Sequence, residues 1–152
     1  MSFVPDTFAP PLGLDHPRFR LRPLGPEHND ADYAAWTSSI AHIRATPGYA
    51  ERSWPREMTL DENRLDLERH AADFAARTGF TYTVLGVGRE SATVIGCVYV
   101  YPSPSAEFDA RVHSWVRSED ADLDVLLYRT VRDWLAKSWP FERIEYAPRD
   151  AS

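Results

Sequence analysis

Val94-Ile95-Gly96-Cys97-Val98-Tyr99-Val100-Tyr101 is the longest apolar stretch of the chain, and its reading decides the fold. In an extended strand, alternation sends Val94, Val98 and Val100 to one side and Ile95, Cys97, Tyr99 and Tyr101 to the other. Both faces are therefore apolar, which is the signature of a central strand with cover on both sides. A sheet flanked by helices on both faces follows. Eight residues fall far short of the ~20 that a membrane span needs, so no membrane partner is expected.

Upstream, Phe80 to Val87 reads as a partner strand, joined through the turn Gly88-Arg89-Glu90-Ser91-Ala92. Gly86-x-Gly88 belongs to that turn and does not open a helix, so it is not a nucleotide loop. Before it, Thr59-Leu60-Asp61-Glu62 forms a capping box, and Leu60, Leu67, Ala71 and Phe74 mark the buried stripe of a helix that Thr78-Gly79 should stop. An earlier helix should start near Asn29 or Asp30 and end before Pro47, with Tyr33, Trp36, Ile40 and Ile43 facing inward. Arg18-Phe19-Arg20-Leu21-Arg22 alternates as a strand with one buried face. Its three arginines read as a solvated face, with an anion site as the alternative.

Downstream, Ala110 to Arg117 alternates as a fourth strand. Asp120 to Trp139 carries Leu123, Leu126, Leu127, Val131, Trp134 and Leu135 at helical spacing before Pro140, and Arg143 to Ala147 closes as a fifth strand. The order is β-α-α-β-β-β-α-β. The helices near 30–44 and 59–78 are expected on one face of the sheet and the helix at 120–139 on the other.

With 152 residues, 43% hydrophobic and 12% aromatic, the chain suffices for one domain. Six of its 12 prolines lie in the first 26 residues, which makes 1–17 an extended arm and 18–152 the domain. A net charge of −6 provides no basic field for nucleic acid, which is excluded as a partner. The N-terminus has neither a basic segment nor a long apolar one, so a cytoplasmic location is expected. Cys97 lies in the apolar strand and reads as core. The histidines, His16, His28, His42, His70 and His113, show no ligand spacing, so no metal site is expected.

The element order, the segment Val94 to Tyr101 and the Trp115-Val116-Arg117 end of the fourth strand together resemble the GNAT (GCN5-related) N-acetyltransferases. The resemblance covers about residues 18–148. It implies an α/β (α+β) mixed sheet and transfer of acetyl from acetyl-CoA to a small-molecule amine. Trp115, Val116, Arg117 and Ser118 would meet the cofactor, with strand amides holding the thioester carbonyl.

In the family, the following turn reads R/Q-x-x-G-x-G/A and cradles the pyrophosphate. Here Arg117-Ser118-Glu119-Asp120-Ala121-Asp122 puts aspartate at both glycine positions, which repels a pyrophosphate. The chain also ends after the fifth strand, where the family adds a helix with a tyrosine acid and two more strands. An acyltransferase degenerate in CoA binding is expected, with a non-catalytic small-molecule or protein-binding module on the same fold as the alternative. The uncovered flank points to a homodimer.

Tyr49, Trp54, Tyr99 and Tyr101 are the expected walls of a substrate groove, with Trp115 beside them. Internal packing is the competing reading for all five. His113 is the candidate base, against an ordinary hydrogen-bonded strand histidine.

Overall fold

The computed structural model describes residues 2–88 and 93–149. Among these described residues, six strands form one sheet in sequential order: β1 (Leu14–Asp15), β2 (Phe19–Pro23), β3 (Phe80–Gly86), β4 (Val94–Tyr101), β5 (Ala110–Val116) and β6 (Ile144–Tyr146). All neighbours are antiparallel except β5 and β6, which run parallel from Ala110↔Ile144 to Val112↔Tyr146. β4 is internal, as its two apolar faces require. The turn residues 89–92 between β3 and β4 lie outside the described residues.

The helices divide between the faces. α1 (Asn29–Thr37), α2 (Ile40–Arg44) and α3 (Leu60–Ala76) cover one face, where Trp36, Ile43 and Leu67 pack with Val94, Cys97 and Trp115. α4 (Asp124–Ser138) covers the other, its Leu127, Val131 and Leu135 packing with Ile95, Val98, Val100 and Val112. No described helix is long and apolar enough to cross a membrane.

Several local expectations are corrected. Strand β1 lies inside the expected extended arm; two residues pairing Leu14↔Leu21 and Asp15↔Arg20 are too few to leave a periodic trace. The single helix expected over 30–44 breaks at Ser38-Ser39. Ser38 bonds back to the Ala35 carbonyl, and Ser39 Oγ turns away to accept the Ser118 amide at 2.8 Å. Neither Asn29 nor Asp30 caps α1; it follows a 3-10 turn at Pro26–His28, and Asn29 is buried in a side-chain network.

α3 keeps its capping box, with Thr59 Oγ accepting from the Glu62 amide and the Glu62 carboxylate accepting from the Thr59 amide. Leu60, placed on the buried stripe by spacing, is 41% exposed. The left-handed residue ending α3 is Arg77, at φ 64°. Gly79 instead makes room for β4, since a Cβ there would overlap the Tyr101 ring. Asp120 does not begin an α-helix, because Ser118–Leu123 forms a 3-10 turn ahead of α4.

The most consequential correction is in β4. The register runs Val84↔Gly96 and then Leu85↔Val94, so Ile95 is an extra residue, a β-bulge. Val94 therefore joins Cys97 on the α1–α3 side, and Ile95 joins Val98 on the α4 side, the reverse of strict alternation. Gly96 makes this possible, since a Cβ there would run into the Trp115 carbonyl of β5.

Candidate functional site

The loop between α2 and α3 is tied down from three sides. Tyr33 donates to the Met58 carbonyl at 2.6 Å, Arg44 donates to the Pro55 carbonyl, and Tyr49 is 2% exposed. This fixes Trp54 over the sheet, with ring centroids 5.4 Å from Trp36, 6.0 Å from Trp115, 6.2 Å from Tyr49 and 6.4 Å from Tyr99.

Between the loop, α1, α3 and β4 lies a cavity of about 400 Å³, lined by Tyr49, Trp54, Tyr99, Tyr101 and His113 among others. The structure thus brings together the four aromatic residues singled out from the sequence. Trp115 stands behind them, fully buried, its indole donating to the Tyr99 hydroxyl at 3.0 Å. Tyr49 is both wall and core: its hydroxyl is buried and has no hydrogen-bond partner among the described residues.

Sequence reasoning missed Asp32. It is buried on α1 and lines the cavity, and Asn63 Nδ2 donates to its Oδ2 at 3.1 Å. Asn63 in turn accepts from the Trp36 indole at 3.0 Å and donates to Asn29 at 2.8 Å. Burial raises the Asp32 carboxyl to about 6, against the stabilising bond from Asn63. Its charge also reaches Tyr99 and Cys97, adding to the burial that holds both hydroxyl and thiol well above their ordinary values. Asp32 stands four residues before Trp36 on one helix face, but its meeting with Asn63 leaves no mark in the sequence.

His113 of β5 lies at the junction with a second, wider cleft of about 860 Å³ between the same loop and the β5–β6 edge. Burial lowers its imidazole to about 4, helped by the Arg52 and Arg111 guanidiniums. Arg52 Nη1 lies 3.5 Å from His113 Nε2, and Arg111 is held in a two-pronged ion pair with Glu145. A ring so disposed toward neutrality is an acceptor, but no carboxylate among the described residues is bonded to it.

Beyond Val112 and Tyr146, β5 and β6 part, and Arg149 fills the gap. Its side chain is 2% exposed. Nη2 donates to the Ser114 carbonyl at 2.8 Å, Nη1 to the Ala147 carbonyl at 3.0 Å, and Nε to Asp124 Oδ2 at 2.8 Å. At the end of β5, Val116 is buried, and Arg117 Nε donates to the buried Asp120 carboxylate at 2.6 Å. Ser118 gives its amide to Ser39. Asp122 is exposed and lies 3.9 Å from Arg18. Among the described residues, no group of three or more His, Cys, Asp or Glu is arranged to hold a metal ion.

No protein-family model matches the sequence, and no curated protein sequence matches it. Solved structures do match. The ribosomal-protein-S5-alanine acetyltransferase of Vibrio fischeri is similar with a TM-score of 0.66 and 15% identity, over 90% of this chain and 73% of that one. The microcin C7 self-immunity acetyltransferase MccE, solved with acetyl-CoA and AMP, gives 0.62 at 10% identity, over 96% and 79%. The ribosomal L7/L12 α-N-protein acetyltransferase RimL, solved with coenzyme A, gives 0.61 at 12% identity, over 85% and 69%. At these identities the likeness is one of fold: this chain has the GNAT acyl-CoA N-acyltransferase fold.

Proposed function

We propose that this chain is a small-molecule-binding protein on the acetyltransferase fold, taking an organic amine in the aromatic groove and not using acyl-CoA. The observation that carries the reading is the contrast between a filled gap and an open groove beside it. The resemblance implies that an acyl thioester would lie between β5 and β6 and its pyrophosphate against the turn after β5. The residues present do not fit that group. Arg149 occupies the gap and takes the Ser114 carbonyl. In the turn, Asp120 is committed to Arg117 and adds a carboxylate where the pyrophosphate would come. Unlike MccE and RimL, whose structures hold acetyl-CoA and CoA, this chain is read as satisfying those positions from within.

The groove, by contrast, is lined by the buried Asp32 together with the rings of Trp54 and Tyr99. A buried carboxylate is stabilised by an incoming cation, and ring faces favour the same charge, so an ammonium group is the complementary ligand. The acyltransferase reading rests on the fold alone.

Phenethylamine, an ammonium carrying one ring, is the probe. Calorimetry should detect saturable binding that weakens as pH falls through about 6, where Asp32 takes up a proton. Asp32→Asn should weaken it roughly 10-fold or more, the scale of a lost charge-assisted hydrogen bond. Trp54→Ala should weaken it as well. Binding that is indifferent to pH and to both substitutions would refute the groove as the amine site.

A further inference from the structure

At one wall of the groove, side chains from α3, β3 and β4 meet. His70 Nδ1 lies 2.8 Å from the Tyr101 hydroxyl and 3.0 Å from the Thr81 hydroxyl, and Tyr101 donates to Asp73 Oδ2 at 2.8 Å. Proton accounting then sets the tautomer. Tyr101 has one proton and gives it to Asp73, so its oxygen faces Nδ1 as an acceptor. Nδ1 must carry the N–H, which it shares with Thr81.

The imidazole is neutral at pH 7. Burial and the Arg69 charge lower it to about 4, against Asp66 and Asp73, which act in the other direction. One N–H placed on Nδ1 leaves a lone pair on Nε2. That atom has no hydrogen-bond partner among the described residues, yet it is not sealed inside the protein, and His70 lines the 400 Å³ cavity. The ring is held between Tyr99 and Tyr101, at centroid distances of 5.6 and 6.0 Å. A histidine in its less common tautomer, fixed by a carboxylate through a tyrosine, is more organised than packing alone requires.

We infer that the bare Nε2 of His70 is a second polar subsite of the groove, a fixed acceptor that selects a ligand presenting a hydroxyl or amino N–H donor at this wall. The inference rests on the reading of the groove as a ligand site. It adds to that reading a second donor on the amine, on the α3 side.

Two measurements on the wild-type protein test it. Long-range nitrogen-15 spectra of the histidine rings at pH 7, assigned with His70→Gln, should show His70 as the Nδ1–H tautomer, and Tyr101→Phe should shift it toward the Nε2–H form. Phenol and anisole then supply one ring with and without an O–H donor. Phenol should move the His70 Nε2 resonance upfield by several parts per million and anisole should not. An Nε2–H tautomer in the wild type overturns the His70 assignment alone, as does anisole acting as strongly as phenol. Failure of both probes to shift any groove resonance overturns the subsite, while the amine reading stands or falls on the phenethylamine titration.

Discussion

His70, His113 and Asp32, all lining the groove, are shifted within the acid range, and they do not all act in the same direction. His70 is lowered from 6.5 to about 4. Between those values the unfolded chain binds more protons than the folded one, so stability is lost as pH falls through that window. For the largely buried His70 the difference is worth roughly 3 kcal/mol. His113 acts in the same direction, with its larger exposure and solvent screening reducing the effect. Asp32, raised from 3.8 to about 6, opposes them: the folded chain binds more protons between those values, and acidification stabilises it. Urea denaturation should therefore show stability declining from pH 6.5 to 4, and Asp32→Asn should decline more steeply, having lost the opposing contribution. A flat profile, or a shallower one in the variant, would contradict these environments.

At the scale of elements, the bulge in β4 decides that Val94 packs beneath α1–α3 and Ile95 beneath α4, and Gly96 is its narrowest requirement. Gly96→Ala should cost on the order of 3 kcal/mol by driving a methyl into the β5 backbone, read as a fall in melting temperature. A shift within ordinary surface variation would show that the strands part there easily. The bulge also explains why the sequence was only partly readable. The capping box at Thr59 and Glu62, the internal strand and the aromatic quartet were legible because each rests on local chemistry or on period. One inserted residue in an unbroken apolar run leaves no mark in a pattern where every position is apolar, so the swap of Val94 and Ile95 was invisible. His70 was visible only as one of the histidines without ligand spacing. Its meaning comes from Thr81 and Tyr101, which tertiary structure alone brings to it.

Across the whole molecule, the two ends of the described chain are structural members. Phe3 stacks on Phe80 and Phe141, Phe8 packs against Trp139, Val4 is buried, and Arg77 and Tyr82 hold the Pro5 and Pro11 carbonyls. Deleting residues 2–11 should cost on the order of 5 kcal/mol, the scale of removing a buried aromatic side chain or more, seen in denaturant midpoints. An unchanged midpoint would mean that the arm merely rests on the surface. At the other end, Arg149→Met leaves Asp124 without its cation and should destabilise by about 3–5 kcal/mol, part of it recovered in Arg149→Met/Asp124→Asn. No reading of period or spacing finds such a residue, since a lone arginine beyond the last strand looks solvated. On the proposed reading, Arg149 is the residue that keeps acyl-CoA out of the gap between β5 and β6. Calorimetric titration of the wild-type protein with acetyl-CoA tests that claim most directly. No saturable heat is expected up to about 1 mM, corresponding to less than about 4 kcal/mol of binding. Saturable binding of acetyl-CoA in the micromolar range, with Arg149 and Asp124 both in place, would contradict it.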